Sequence, residues 1–211
     1  MHSELDSVLA RRVIPVVTLH DRESAIGVAG AFARGGLPIV EVTFRSDAAE
    51  EAIAAIASET DVRVGAGTVI DSELVDRAAA AGATFVVTPG FSPAVVERCL
   101  EIGMPVIPGV GGATDIMSAL TYGLTVVKLF PADALGGPKT VRALSGPFPG
   151  VRFVPTGGVS AATAPEYLAI DSVAAVGGSW IIPPQAISSG RFEEVERLAA
   201  EAVAICAENE R

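Results

Sequence analysis

Several residue types are scarce in this chain of 211 residues, and each shortage argues against a class of protein. Two histidines, His2 and His20, leave little material for a histidine-ligated metal site or a Ser-His-Asp triad. Two cysteines, Cys99 and Cys206, fall in helix-like segments and form neither a CxxC pair nor a disulfide framework. Apolar runs are interrupted by Gly, Pro or a charge well before the roughly 20 residues that span a bilayer. These shortages predict a soluble protein with no membrane partner and no metal.

The charge of the chain is one-sided. It has 15 basic and 25 acidic residues, which give a net charge of -10. Because such a charge repels polyanions, no nucleic-acid partner is expected, and a small anion would need local donors such as an arginine or the amides at a helix start. The stretch from Met1 to Arg12 is mixed and polar and has no signal-peptide pattern, which predicts a cytoplasmic protein.

Short β-branched runs alternate with Ala-rich helical stretches along the whole chain. The predicted strands are Val13 to Leu19, Leu37 to Phe44, Val62 to Ala66, Phe85 to Thr88, Val106-Ile107, Thr125 to Leu129, Val151 to Val154 and Val173 to Val176. The predicted helices are Arg22 to Arg34, Asp47 to Ser58, Asp71 to Ala81, Pro93 to Ile102, Thr114 to Tyr122, Lys139 to Leu144, Ala161 to Ala169 and Phe192 to Glu208. This alternation predicts an α/β fold, a single (β/α)8 TIM-barrel domain over residues 1–211 with an N-terminal helical segment and a C-terminal closing helix. An open doubly wound sheet is the alternative.

Lysine is rare, which sets Lys128 apart. The chain holds two lysines, Lys128 and Lys139, against thirteen arginines. Lys128 lies in the apolar run Val126 to Phe130, which a parallel sheet would bury on both faces. An unpaired ammonium is costly there, whereas a neutral amine is a nucleophile toward carbonyls, as Schiff-base catalysis requires. The structural alternative is a lysine that only pairs with a carboxylate across the barrel. Lys139, at a predicted helix start, is expected to be a solvated charge.

A polar row is predicted on the second strand. The two-residue period of a strand puts Glu41, Thr43 and Arg45 on one face, and in a barrel this face must point inward. An inward Glu41 near Lys128 is a candidate general base, and Arg45, nearest the mouth, could hold a carboxylate through a two-pronged contact. The alternative is a buried ion pair of Glu41 with Arg45 or Lys128 that has no chemical task.

Glycine pairs follow the last two predicted strands. Thr156-Gly157-Gly158-Val159-Ser160 precedes a helix, and Gly177-Gly178-Ser179 follows the eighth strand. Barrels often bind phosphate at the loops after strands seven and eight, because missing Cβ atoms let backbone amides approach the anion. His20 is expected to line the same mouth without a catalytic role. Gly65 to Thr68 and Pro108 to Gly112 stay ambiguous, since tight turns also need such glycines.

Together, these residues resemble a known family, the class I 2-keto-3-deoxy-6-phosphogluconate (KDPG) aldolases, grouped with the 4-hydroxy-2-oxoglutarate (KHG) aldolases. The resemblance runs from about Arg12 to Gly190. The motifs that carry it are Val13-Ile14-Pro15-Val16, Glu41-Val42-Thr43-Phe44-Arg45, Val64-Gly65-Ala66-Gly67-Thr68, Thr88-Pro89-Gly90, Val127-Lys128-Leu129-Phe130-Pro131-Ala132, Pro155-Thr156-Gly157-Gly158-Val159-Ser160 and Gly177-Gly178-Ser179-Trp180. In this order and spacing the motifs are highly specific.

The resemblance implies a lyase that reversibly cleaves KDPG to pyruvate and glyceraldehyde 3-phosphate, and that also takes KHG. It implies that Lys128 is the Schiff-base lysine and Glu41 the general acid/base. It implies that Arg45 and Thr68 bind the pyruvyl carboxylate. Phosphate binding is implied for the amides around Gly157, Gly158, Gly178 and Ser179.

The resemblance further implies a homotrimer and no cofactor. Thr156 matches the gluconate-type enzymes, in which a hydroxyl here influences the stereochemistry accepted at the cleaved bond. One departure lies after strand five, where this chain has Gly111-Gly112 and a family member has hydroxyl residues. From the residues alone two rivals stay open: a phosphate-binding barrel isomerase or epimerase with Glu41 as base, and a sugar-phosphate binding protein without catalysis. Only the aldolase needs a covalent imine.

Overall fold

Strands and helices alternate along the chain, as the sequence predicted. The structure, a computed structural model, describes residues 2–208, with side chains from Leu5 onward; residue 1 and residues 209–211 of the predicted domain lie outside the described residues. The strands are β1 (Val13–Val17), β2 (Ile39–Thr43), β3 (Arg63–Gly67), β4 (Val86–Val87), β5 (Val106–Ile107), β6 (Gly109–Val110), β7 (Val126–Leu129), β8 (Arg152–Phe153) and β9 (Val176–Gly178). The helices are α1 (His2–Leu9), α2 (Arg22–Arg34), α3 (Ala49–Glu59), α4 (Ser72–Ala80), α5 (Pro93–Glu101), α6 (Ala113–Thr121), α7 (Pro138–Ser145), α8 (Ala164–Leu168), α9 (Pro184–Ser188) and α10 (Phe192–Ala207).

The strands pair in parallel and mostly in the order of the sequence. A curled six-stranded sheet has the order β5-β4-β3-β2-β1-β9, and a three-stranded sheet has the order β6-β7-β8. Two isolated parallel bridges, Phe153 with Val173 and Thr156 with Gly177, connect the segment of β8 to that of β9. The order has no reversal point of the kind that defines a doubly wound sheet, so that alternative is not favoured. The carboxyl ends of the paired strands therefore lie on one face.

Helix α2 begins beside the carboxyl end of β1 and is fixed there by its cap. Asp21 is the N-cap residue, and its carboxylate accepts hydrogen bonds from the backbone N–H and the hydroxyl of Ser24. The buried face of α2 includes Val28 and Phe32. This cap fixes the loop between Val17 and Arg22, which takes part in the cavity described below.

The amino ends of the strands have a different covering. Helix α1 buries Leu5, Val8 and Leu9, and its Asp6 accepts a hydrogen bond from Arg152, which begins β8, at 3.0 Å. The N-terminal helical segment predicted from the sequence is therefore present. Among the described residues, no helix is both long enough and apolar enough to cross a membrane.

Two glycine segments differ from their predicted structure. The sequence predicts Gly177 and Gly178 beyond the last strand, but both belong to β9. A Cβ at Gly177 would lie 2.2 Å from Thr156 Oγ1, and a Cβ at Gly178 would lie 1.7 Å from the Trp180 ring, so glycine within the strand makes room for these neighbours. Gly109, predicted as a loop, begins β6, because the fifth strand is interrupted only at Pro108 and then pairs with β7.

Other differences concern the ends of elements. Val173, predicted as the start of the last strand, forms only an isolated bridge with Phe153. Helix α8 begins at Ala164 rather than at Ala161. Helix α9 was not predicted, because its five residues are too few to display a helical period.

Candidate active site

A buried ion pair joins two strands that are not neighbours in either sheet. Lys128 Nζ on β7 lies 3.1 Å from Glu41 Oε1 on β2, and the two side chains are 5% and 3% exposed. Because β7 and β2 belong to different sheets, the contact crosses the space between the sheets. The predicted inward orientation of Glu41 is therefore observed. Removal of one member of such a pair would leave an uncompensated buried charge, at a typical cost of about 3–5 kcal/mol.

A glycine makes room for the carboxylate of this pair. Gly67 ends β3 and lies opposite Thr43 in the register between β2 and β3. A Cβ at Gly67 would lie 2.2 Å from Glu41 Oε1, so any larger residue would displace the carboxylate. The sequence left Gly67 ambiguous, and its function is to accommodate Glu41.

Arg45 and Thr68, which the family resemblance places at one carboxylate site, are in contact. Arg45 Nε donates a hydrogen bond to Thr68 Oγ1 at 3.2 Å. Thr68 has φ +58°, a left-handed conformation that is uncommon for threonine. The Nη donors of the guanidinium are not used in this bond, and Arg45 is exposed just beyond the end of β2. The arrangement is suited to holding an anionic group at the mouth.

A cavity of about 420 Å³ opens at the carboxyl ends of the strands. Its wall consists of residues from the ends of β1, β2, β7 and β9, from the segment after β8, from the start of α2 and from α9. The lining residues are Val16, Val17, Thr18, His20, Asp21, Ser24, Thr43, Arg45, Phe130, Thr156, Gly157, Gly158, Val159, Gly177, Gly178, Ser179, Ile182, Pro184, Ile187 and Ser188. This volume is within the usual range for a small-molecule site.

The ion pair borders the inner end of this cavity without forming part of its wall. Lys128 Nζ lies 5.4 Å from the ring centroid of Phe130, which is a wall residue. Thr43, another wall residue, lies two positions beyond Glu41 on β2. We call Lys128 and Glu41 the floor pair. Thr68 also lies outside the wall and meets the cavity through Arg45.

The glycines predicted to bind phosphate lie together on one side of the cavity. We call Gly157, Gly158, Gly178 and Ser179 the glycine rim; all four line the cavity. Gly158 has φ +81°, and a Cβ there would lie 2.3 Å from Asp133 Cβ, so both the backbone conformation and the space require glycine. Thr156, 5% exposed, lines the cavity beside them. Backbone N–H groups of glycine residues commonly bind phosphate, because no side chain keeps the anion away from them.

Known proteins resemble this chain over most of its length. The family model described as KDPG and KHG aldolase matches residues 5–198. The chain belongs to this family. It is 51% identical over 195 residues to the 2-dehydro-3-deoxy-phosphogluconate aldolase of Treponema pallidum, which covers 92% of this chain and 93% of the relative.

Solved structures of KDPG aldolases have the same fold as this family member. The KDPG aldolase of Zymomonas mobilis with 3-phosphoglycerate superposes with a TM-score of 0.89 at 36% identity and covers 95% of both chains. The KDPG aldolase of Legionella pneumophila, with pyruvate captured at low pH as a covalent carbinolamine intermediate, gives a TM-score of 0.89 at 37% identity, covering 92% of this chain and 95% of that one. The predicted α/β fold and family resemblance are therefore confirmed.

Some wall residues were missed from the sequence. Thr18 continues the two-residue alternation of Ile14 and Val16 on β1, and this period is the local signal for its place in the wall. Ile187 and Ser188 reach the wall through α9, and the only local signal was the pair Pro183-Pro184, since proline is common at a helix start. His20 lies in the wall as expected.

Two further points concern groups that could bind ligands. Gly111 and Gly112, the departure from the family pattern, do not line the cavity, and the N–H of Gly111 donates to Asp115 at 2.7 Å. In the part of the chain that the structure describes, no three His, Cys, Asp or Glu residues are grouped so that they could hold a metal ion. On the wall, the N–H and the hydroxyl of Ser24 lower the pKa of the Asp21 carboxyl.

Proposed function

We propose that this chain is a class I aldolase that forms an imine between Lys128 and the C2 ketone of KDPG and releases pyruvate and glyceraldehyde 3-phosphate. The observation that carries the proposal is the contact of 3.1 Å between Lys128 Nζ and Glu41 Oε1 at the inner end of a cavity. A buried amine beside a carboxylate can lose its proton to that carboxylate and attack a carbonyl. The carbinolamine in the Legionella relative supports the same chemistry here.

The steps follow from the two members of the floor pair. The neutral amine of Lys128 adds to C2, and Glu41 returns the proton that it took from Lys128 to the departing water. This leaves an iminium, which accepts electrons from the C3–C4 bond, and restores the carboxylate of Glu41. Glu41, acting through a water molecule, takes the proton of the C4 hydroxyl as this bond breaks. Glyceraldehyde 3-phosphate then leaves, the enamine takes a proton at C3, and hydrolysis restores Lys128 and frees pyruvate.

The two anionic ends of the substrate are proposed to bind at two different sites. The carboxylate beside the ketone would bind Arg45, which Thr68 orients through its hydrogen bond of 3.2 Å. The phosphate would bind the amides of the glycine rim, which lies on the same cavity. The 3-phosphoglycerate in the Zymomonas relative supports a phosphorylated ligand. Thr156, buried beside the rim, is proposed to influence the configuration accepted at C4.

We propose KHG as a second substrate, in agreement with the family's description. KHG carries the same carboxylate and ketone but has no phosphate, so it would use the floor pair and Arg45 and leave the rim empty. The rival isomerase or epimerase would use Glu41 without an imine, and the rival binding protein would use neither member of the floor pair.

We also propose that the two sheets close into a single (β/α)8 barrel. The supporting observations are that β9 lies beside β1 and that two bridges connect the segments of β8 and β9. If β5 and β6 are one strand interrupted at Pro108, each of the eight strands has two neighbours. A crystal structure with an unpaired edge between β8 and β9 would contradict closure.

A homotrimer is proposed as the assembly. On α6, Met117 and Leu120 lie one turn apart and are 60% and 38% exposed, which leaves apolar side chains without cover in the single chain. Sedimentation equilibrium should give three times the mass of 21.5 kDa. Met117→Glu should lower the assembled fraction, and a monomeric parent protein would overturn the proposal.

The deciding experiment is chemical trapping of the imine. The protein is incubated with pyruvate and borohydride, and its intact mass is measured. One reduced pyruvyl adduct, located on Lys128 by peptide mapping, is the expected result, with Lys139 unmodified as an internal control. Absence of an adduct, or its location on Lys139, would reject the aldolase mechanism and favour the isomerase or binding protein.

A further inference from the structure

Two threonine hydroxyls meet at the cavity and are not used by the proposed chemistry. Thr18 follows β1, Thr43 ends β2, and both line the cavity. Their Oγ1 atoms lie 2.8 Å apart. Within residues 2–208, this is the one hydrogen bond that either hydroxyl makes. We call these residues the threonine pair.

Proton counting shows what the threonine pair offers to a ligand. Each hydroxyl has one hydrogen to donate, and one hydrogen is used between the two oxygens. Thr43 is 1% exposed, so its hydrogen must go to the Thr18 oxygen if it is to be satisfied within the protein. Thr18 is only partly buried, and its own hydrogen is then free to point into the cavity. The pair therefore presents an oriented neutral donor.

Strand register fixes where this donor lies. Thr43 lies two residues beyond Glu41 on β2 and is therefore nearer the mouth than the floor pair. Because Val16 lies opposite Glu41 in the register of β1 and β2, Thr18 comes next to Thr43. On the other side of β1, Pro15 lies opposite Gly178 of the rim. In the order of strands, β3 with Thr68 is followed by β2 with Arg45, then by β1, and then by β9. The threonine pair thus lies between the proposed carboxylate and phosphate sites.

We infer that Thr18 donates a hydrogen bond to the C5 hydroxyl of the phosphorylated substrate and thereby determines acceptance of the aldehyde, with Thr43 as a positioning residue behind it. The inference rests on the proposed function. In that function the C1 carboxylate, the C2 ketone, the C4 hydroxyl and the phosphate already have protein partners. The C5 hydroxyl is the remaining polar group, it is neutral as the donor is, and it lies between the two anionic ends.

The test uses the condensation direction, in which the aldehyde can be varied. Pyruvate is condensed with D-glyceraldehyde 3-phosphate or with 3-oxopropyl phosphate, which has a methylene where the former has the carbinol that becomes C5. Thr18→Val removes the hydroxyl at nearly constant volume. We expect it to lower kcat/KM for glyceraldehyde 3-phosphate about tenfold, the loss typical of one hydrogen bond. The value for 3-oxopropyl phosphate should stay the same.

Conservative variants separate a hydrogen bond from packing. Thr18→Ser keeps the hydroxyl and should retain the parent ratio between the two aldehydes. Thr43→Val should lower the ratio less than Thr18→Val does, and Thr43→Ser should restore it. Thr121→Val, an exposed threonine on α6 whose hydroxyl bonds only within its helix, is the matched control and should change neither value.

Pyruvate trapping by borohydride, measured on every variant, separates this inference from the proposed function. If Thr18→Val is trapped normally but its kcat/KM falls equally for both aldehydes, the threonine pair contacts the C4 hydroxyl or contributes only to packing, and the inference is wrong. If it is trapped normally and its kcat/KM is unchanged for both aldehydes, the threonine pair does not contact the substrate, and the inference is again wrong. A parent protein that is neither trapped nor active in condensation would overturn the proposed function and this inference together.

Discussion

The floor pair and the glycine rim are built from different parts of the chain. The floor consists of side chains on regular strands, Lys128 on β7 and Glu41 on β2, both nearly without exposure. The rim consists of backbone, with Gly158 at φ +81° and a Trp180 ring pressed on Gly178. At the floor the functional groups are in the side chains. At the rim, the absence of glycine side chains would let a phosphate approach the backbone amides closely.

This difference indicates how each region should respond to substitution. A floor variant that keeps size but changes the functional group should lose chemistry for every substrate. A rim variant that adds size should lose only the substrate that carries a phosphate. Substitutions at the floor should therefore have larger effects than substitutions at the rim.

The largest effect is expected at Lys128. Lys128→Ala should abolish KDPG cleavage and pyruvate trapping, because the other lysine of the chain, Lys139, is exposed on α7. Lys139→Ala removes an exposed lysine at the start of α7 and should retain both activities. A coupled assay of pyruvate release and intact mass after borohydride provide the two readouts.

The stability of this variant must be checked. Loss of Lys128 leaves Glu41 without its partner in the interior, at a cost of about 3–5 kcal/mol, so circular dichroism should establish that the variant is folded. A folded Lys128→Ala protein that cleaves KDPG at the parent rate would end the Schiff-base proposal.

Glu41→Gln should have the next largest effect. The amide keeps the shape of the side chain but cannot accept the proton, so kcat should fall about a hundredfold or more, as for other positioned acid/base groups. Exchange of the methyl protons of pyruvate with solvent should slow in parallel. Both rates are measured by NMR in deuterated buffer.

The matched control is Glu59→Gln, which changes the same group in an exposed ion pair with Arg22. It should leave cleavage and exchange at parent values. Exchange that is equally fast in Glu41→Gln would assign Glu41 to structure, as the partner of Lys128 alone.

The sequence predicted the floor better than the rim, for a physical reason. A period of two residues is local, so it was enough to put Glu41, Thr43 and Arg45 on one face, and a lysine within an apolar run is conspicuous. The need for glycine at 177 and 178 depends on Thr156 and Trp180, whose close approach is a tertiary fact. For the same reason the contribution of α9 to the wall could not be inferred from a five-residue segment.

At the rim, Gly158→Val should separate the two substrates. Valine would be strained at φ +81°, and its Cβ would meet Asp133 at 2.3 Å, so the phosphate amides would shift. Cleavage of KDPG relative to KHG should fall about tenfold to a hundredfold, since hydrogen bonds to a charged group contribute roughly 1.5–3 kcal/mol. The ratio of the two kcat/KM values is the measurement.

Gly36→Val controls for the strain of the backbone. Gly36 has φ +80° but open space around its Cβ position, and it lies outside the cavity wall. Gly36→Val should lower the free energy of unfolding without changing the ratio of the two kcat/KM values.

Arg45→Ala, by contrast, should weaken the binding of both substrates, because both present a carboxylate beside the ketone. Equal losses of KDPG and KHG in Gly158→Val would contradict phosphate binding at the rim.

The smallest effect is expected at Asp21, a wall residue whose side chain has a structural task. Its carboxylate caps α2 by accepting from the N–H of Ser24 at 2.7 Å, so Asp21→Ala should lower the free energy of unfolding by about 1 kcal/mol. Asp71→Ala removes the equivalent cap of α4, which does not line the cavity, and should cost a similar amount. Neither variant should change kcat. An unchanged kcat in Asp21→Ala would show that this wall residue stabilises the fold, whereas the floor pair carries the chemistry.

The pH dependence of this cap provides a second readout with a definite sign. Hydrogen bonds from Ser24 lower the pKa of Asp21 from its ordinary value of 3.8. A carboxyl whose pKa is lower in the folded state stabilises the protein above the pKa of the unfolded state, and this contribution disappears as the pH falls through the folded pKa. Urea unfolding should therefore show the full difference between parent and Asp21→Ala near pH 7 and a smaller one toward pH 3. If the difference in unfolding free energy grows on acidification instead, the ionised Asp21 carboxylate destabilises the folded protein. That result is expected if its repulsion by the other acidic groups of this chain outweighs its contribution as the cap of α2.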